Sequence, residues 1–292
     1  MNKPAVSDTT MAFDCQEWIG RSMTIDDEIT LPAVRRVAAM VDMDPQSFRH
    51  GSAIPPHWYS MFFTLNARQS QIGHDGHPRK GEFLPPIPLP RRMFVGRQVE
   101  FPGVLKVGDR AMKRSEIVSI TPKSGRSGPL VFLTVRHTIE VDGAPAVIEH
   151  QEVVYREAAA QGSSPAASAS TPAPVDAAWS ESVLMDPVLV FRYSAVTWNG
   201  HRIHYDAEYA RNVERYPGCV MNGALTVHLL IDAALRNHPG RLTGLKARLS
   251  KPLFVGDTLV LAGKNASSGR VEAWAADKSG ALAGSVELQI AE

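Results

Sequence analysis

The polar chemistry of this sequence is concentrated in one stretch, Thr197-Trp198-Asn199-Gly200-His201-Arg202-Ile203-His204-Tyr205-Asp206. A neutral imidazole at His204 can take a proton from water near pH 7 and give it back. Asn199 can orient a water molecule, but its amide cannot exchange a proton at that pH. Arg202 suits bidentate recognition of a carboxylate, or a structural ion pair, and His201 is a second candidate for substrate contact. His201 and His204, with Asp206 nearby, could also start a metal site. No third ligand follows at zinc-site spacing, so no metal is expected. Further on, Asn222-Gly223 opens an apolar run. A backbone N–H at the start of a helix offers an oxyanion both a donor and the positive end of the helix dipole.

Those residues need a scaffold, and the order of elements around them occurs twice. In the first half Thr30 caps a helix with Pro32 in its first turn. Val34, Val37, Ala38 and Val41 recur at helical spacing until Pro45 stops it. Ile54-Pro55-Pro56 leads into an apolar run through Trp58, Met61, Phe62 and Leu65. Strand-like segments follow at Met112–Thr121, Leu130–Val141 and Val147–Tyr155, with Asp142-Gly143 as a hairpin turn. In the second half Val188–Val196 reads as a strand and Ala207–Val213 as a short helix. A helix from Gly223 carries Leu225, Val227, Leu229, Leu230, Ile231, Ala233 and Leu235 nearly all round, so it should be buried on most faces. Strand-like runs at Leu242–Leu249, Asp257–Ala262, Val271–Ala276 and Leu282–Ile290 should wrap it. Val-Gly-Asp occurs before a strand in each half, at Val107-Gly108-Asp109 and Val255-Gly256-Asp257.

Between the halves, Ala158 to Ala178 is almost wholly Ala, Ser, Pro, Gly and Thr, a composition that cannot bury enough surface to offset its ordering entropy. The expected organisation is therefore an N-terminal domain at 14–157, a linker at 158–178 and a C-terminal domain at 179–292. A net charge of +1 over 292 residues argues against nucleic acid as the main partner. The first residues lack a signal-peptide core, and no stretch approaches the ~20 apolar residues that span a bilayer. Cys15 and Cys219 are the sole cysteines, which suits a reducing compartment. A cytoplasmic protein is expected.

The loop resembles that of the R-specific enoyl-CoA hydratase (MaoC-like) family, in which an Asp and a His five residues apart form the catalytic pair. His204 falls on the His and Asn199 on the Asp. Gly223, in Met221-Asn222-Gly223, falls on the glycine whose N–H binds the thioester oxygen. The chain is more similar to a double hot-dog subgroup containing mesaconyl-C4-CoA and itaconyl-CoA hydratases and hydroxyacyl-thioester dehydratases. Gly73-His74-Asp75-Gly76-His77-Pro78, Phe83-Leu84-Pro85-Pro86 and Pro88-Leu89-Pro90-Arg91-Arg92-Met93 carry that likeness.

The resemblance implies an α+β double hot-dog fold, two curved antiparallel sheets each wrapping a central helix. The two units should pair edge to edge, and a homodimer is the expected assembly. It implies a hydro-lyase that adds or removes water across the C=C of a short, dicarboxylic enoyl-CoA and needs no cofactor. His204, Asn199 and Gly223 would be catalytic, and Arg202, His201, Asn222, Lys246 and Arg248 would bind substrate. Lys246 and Arg248, with Lys251, would meet the CoA phosphates or form the wet side of a strand. His74 and His77 read as turn residues. In the first half the corresponding loop, Asp42-Met43-Asp44-Pro45-Gln46-Ser47, has Ser47 in place of the His, so that half should shape the acyl pocket. A fatty-acid-type dehydratase, a hot-dog thioesterase and a non-catalytic acyl-CoA-binding protein remain alternatives.

Overall fold

Alternating apolar side chains set the strands, and each half opens with a strand followed by a helix with Pro in its first turn. The computed structural model describes residues 15–125, 128–157 and 171–291. The first half runs β1 (Ser22–Glu28), α1 (Leu31–Met40), β2 (Arg91–Glu100), β3 (Arg110–Gly125), β4 (Gly128–Val141) and β5 (Ala144–Arg156). The second runs β6 (Trp179–Leu184), α2 (Pro187–Val196), α3 (Ala207–Asn212), α4 (Gly223–Asn237), β7 (Arg241–Leu249), β8 (Thr258–Ser267), β9 (Arg270–Ala276) and β10 (Leu282–Ala291). All strands join one antiparallel ten-stranded sheet in the order β1-β3-β4-β5-β2-β7-β10-β9-β8-β6. The halves meet at β2 and β7, paired from Gly96↔Arg248 to Glu100↔Gly244.

The repeat extends to single backbone bonds. Gly108 and Gly256 take φ of 98° and 91°, a region that glycine enters without a Cβ penalty. Their N–H groups donate to Ile29 and Met185 at 2.8 and 2.9 Å, closing each opening strand onto the turn before β3 or β8. Asp142 and Gly143, at φ 51° and 78°, form the expected two-residue hairpin turn between β4 and β5.

Two expectations need correction. Val188–Val196 is not a strand but α2. Asp186 caps it by accepting from Val188 N–H at 3.1 Å, and Pro187 stands at its first position, as Pro32 does early in α1. This start signal outweighs the β-branched content, and Val190, Tyr193 and Ser194 at helical spacing are its buried residues. The second correction concerns the central helix. α4 packs against β8, β9 and β10, but among the described residues the first half has no helix of comparable length. A 3-10 turn, Pro56–Met61, instead delivers Trp58, Tyr59 and Met61 to the core cluster that holds Leu225 and Leu230 of α4. Prolines at 78, 85, 86, 88 and 90 keep the following segment from continuing as a helix.

Of the expected linker, 158–170 lies outside the described residues. Its last part is tied to the second half, since Leu282 N–H donates to Thr171 at 2.8 Å and Ala178 N–H to Gly263 at 2.8 Å.

Candidate active site

α2 ends at Val196, and a residue at positive φ, Trp198 (51°), turns the chain into the polar loop. Asn199 Oδ1 accepts from the His201 N–H at 3.0 Å, an Asx turn that shapes the loop. A 3-10 turn, Arg202–His204, follows. The backbone of Val220 is bonded to this turn, its N–H donating to Ile203 O at 2.8 Å. Its carbonyl receives the Nδ1–H of His204 at 2.7 Å. A carbonyl can only accept, so Nδ1 carries the proton and Nε2 keeps its lone pair. Burial pushes the His204 pKa down to about 4, against the Val220 bond, which favours the charged form; the charge of His77 lowers it further. His204 is thus a neutral imidazole at neutral pH, with Nε2 as the basic atom.

The bond to Val220 anchors this imidazole three residues before the start of α4. Asn222 is the N-cap of α4 but does not cap it with its side chain. Its amide turns to the Ser194 hydroxyl instead, Nδ2 donating at 3.2 Å, and the residue is only 2% exposed. Leu225 and Thr226 N–H already reach the Asn222 carbonyl. The N–H groups of Gly223 and Ala224, at the first two helical positions, lie beyond the reach of the helix's own acceptors. A Cβ on Gly223 would lie 2.3 Å from Leu249 Cδ1 and 3.8 Å from Phe94 Cδ1, so both halves wall this point.

A first-half loop completes the cluster. Gly73–Gly76 is a turn, with Gly76 N–H donating to Gly73 at 3.0 Å, and it is seated against the His204 loop. Arg202 N–H donates to the Asp75 carbonyl at 2.9 Å. Gly76, at φ 90°, lies so close to Gly200 that an added Cβ would be 1.9 Å from the Gly200 oxygen. Asp75 accepts from His77 Nδ1 at 3.0 Å. Burial would raise the Asp75 carboxyl, but the His77 bonds hold it well below the usual carboxylate range. The rings of His77 and His201 are 4.1 Å apart, and those of His201 and His204 5.4 Å. Burial, with His77 and His204 nearby, pushes His201 down to about 2. Burial also lowers His77, opposed by Asp75 and reinforced by Arg92.

The sequence profile of the hydroxyacyl-thioester dehydratase type 2 family matches residues 57–255, the span that contains both loops, β2 and the start of α4. The chain belongs to this family. It is 41% identical over 280 residues, 94% of its length and 98% of the relative's, to the mesaconyl-C(4)-CoA hydratase of Chloroflexus aurantiacus. It is 24% identical over 244 residues, 71% of this chain and 77% of the relative, to the mitochondrial hydroxyacyl-thioester dehydratase type 2 of Schizosaccharomyces pombe. Among solved structures, a MaoC-like dehydratase from Phytophthora capsici superposes with a TM-score of 0.71 at 14% identity, covering 96% of this chain and 99% of that one. A Mycobacterium tuberculosis protein described as a double hotdog gives 0.56 at 14% identity, covering 93% and 96%. The fold is therefore a hot-dog one.

Several of the expected substrate-binding residues already have partners within the protein or face solvent. Arg202 is committed: its guanidinium meets Asp206 at 2.6 Å, donates to the His74 carbonyl at 3.3 Å and lies 4.2 Å over the Tyr209 ring. These contacts are those of a structural ion pair, one of the two roles the sequence allows it. Asn222 likewise links α2 to α4. Lys246 and Arg248 are exposed, whereas Leu245 and Ala247 are buried in the core that contains α4. Strand alternation thus puts the two cations on the face away from the site. Asp75, His77 and Arg92 join the cluster although the sequence offers His77 only as a turn residue and Asp75 and Arg92 only as parts of longer phrases. The phrases containing them were visible, but nothing local showed which loop they would face. Ser47 ends the first half's 3-10 turn, Pro45–Ser47, as His204 ends its own, and its hydroxyl donates to the Asp44 carbonyl at 2.7 Å.

Proposed function

We propose that this chain is an R-type hydratase of short enoyl-CoA thioesters, dicarboxylic ones in particular, with its one site at the second-half loop. The observation that carries the reading is a neutral imidazole with a defined tautomer, anchored beside the uncapped start of α4. The similarity to mesaconyl-C(4)-CoA hydratase supports the choice of substrate. In the proposed reaction His204 Nε2 takes a proton from water while the water oxygen bonds to the β-carbon. The C=C electrons move through the α-carbon to the thioester oxygen, which accepts from the Gly223 N–H. The protonated His204 then gives its proton to the α-carbon and the carbonyl re-forms, so H and OH are added and His204 is neutral again. A well-placed oxyanion donor contributes ~10²–10³ in rate. Asn199 shapes the loop and orients water without exchanging a proton.

The test is to follow loss of the conjugated thioester absorbance with a panel of enoyl-CoAs. Turnover of mesaconyl-C4-CoA or a similar dicarboxylic thioester is expected. Release of free thiol without loss of the double bond would favour a thioesterase, and binding without turnover a sensor; either would overturn this reading.

A further inference from the structure

Three guanidiniums on or beside β2 and the loop are already matched. Arg91 meets Glu214 at 3.1 Å, Arg97 faces Glu149 at 3.5 Å, and Arg202 holds Asp206. Lys80 is also occupied, donating to the carbonyls of Ile87 and Leu89 at 3.0 and 2.8 Å. Arg92 differs. It is half-buried, and among the described residues no carboxylate forms an ion pair with it.

Its direction follows from the ladder. Arg92 stands opposite Tyr155 and Phe94 opposite Val153 in the β2–β5 pairing. Residues two apart on a strand share a face at ~7 Å spacing, so Arg92 lies on the face where Phe94 borders Gly223. The charge of Arg92 is felt by both His77 and His201. A cation without a carboxylate partner thus lies beside the imidazole cluster, on the strand face that reaches the start of α4 through Phe94. A half-buried guanidinium without a counter-ion is costly unless an anion arrives, and its planar fork matches a carboxylate.

We propose that Arg92 is the specificity residue of this site and binds the free carboxylate of a dicarboxylic acyl thioester. This rests on the hydratase reading for its substrate but can be measured without turnover. The residues it must work among are Asp75, His77, His201, His204, Lys80 and the Tyr155 hydroxyl.

The experiment compares wild type, Arg92→Gln and Arg92→Lys, each checked for native near-UV circular dichroism. The quantity is kcat/KM for mesaconyl-C4-CoA divided by that for crotonyl-CoA, so that a general loss cancels. The ratio should fall on the order of 10- to 100-fold in Arg92→Gln, the scale of a charge-assisted pair, and by less in Arg92→Lys. Calorimetric binding of succinyl-CoA against butyryl-CoA reads the same contact with thioesters that carry no double bond. Wild-type preference for succinyl-CoA that Arg92→Gln removes supports the assignment, even if no enoyl-CoA is hydrated and the hydratase reading fails. An unchanged ratio in both assays, or equal losses for both kinds of thioester, overturns it.

Discussion

At His204 one hydrogen bond decides which nitrogen keeps its lone pair, and burial decides its charge. With Nδ1–H held by Val220 at 2.7 Å, Nε2 is left as acceptor, which is what a base requires before a proton moves. The pKa of about 4 has a testable consequence. An ordinary imidazole loses its basic form as pH falls through ~6.5. The folded-state value here is depressed, so the neutral form persists below that point and is lost only as pH approaches 4. We therefore expect kcat for a good enoyl-CoA substrate to hold nearly constant from neutral pH down to about pH 5, wherever the fold survives. A pH–kcat profile with its acid limb at ~6.5 would mean that His204 is more solvated, or more strongly paired with a carboxylate, than its surroundings indicate. Asn199 fits the same picture, since its carbonyl oxygen is engaged by the His201 N–H and no carboxylate at that position favours the charged imidazole.

At the scale of elements, the site is a joint between two loops from different halves. At Gly76 the backbone approaches that of Gly200 more closely than a Cβ permits. Gly76→Ala should force the 73–78 loop away from the 199–204 loop, lowering kcat by ~10-fold or more through misplacement of reacting groups. Gly81→Ala is the control, because Gly81 also takes positive φ, 100°, but has nothing within 4 Å of the added Cβ. Equal effects of the two substitutions in a kinetic comparison would show that backbone strain, not the joint, is what matters. This joint also marks where the sequence stops being readable. The polar loop at 197–206 and the helix between Gly223 and Asn237 could be picked out from residue type and periodicity, as could the hairpin at Asp142-Gly143, whereas the choice of His204 and Gly223 rests on the family resemblance. The side-chain partners could not. Asn222 turns to Ser194, 28 residues away, and Arg202 to His74, 128 residues away. Neither separation leaves a local pattern. The misread α2 has a different cause: a valine-rich segment satisfies strand propensity, and only Asp186-Pro187 announces a helix.

Across the whole molecule, two uneven halves share one sheet. The first half matches the second in β1, α1 and the turn at Gly108, yet lacks the long central helix among its described residues and ends its 3-10 turn in Ser47. The second half supplies His204 and the start of α4; the first supplies the 73–78 loop and β2, whose Phe94 borders Gly223. No helix among the described residues is long and apolar enough to cross a membrane. The central claim is that hydration is carried by one imidazole of the second half, His204. It is tested most directly by following the conjugated thioester absorbance with wild type and His204→Ala under saturating enoyl-CoA. The account predicts a folded variant with kcat lowered at least ~10²-fold, the scale of a lost general acid–base group. A folded His204→Ala protein that turns over at near the wild-type rate would contradict it.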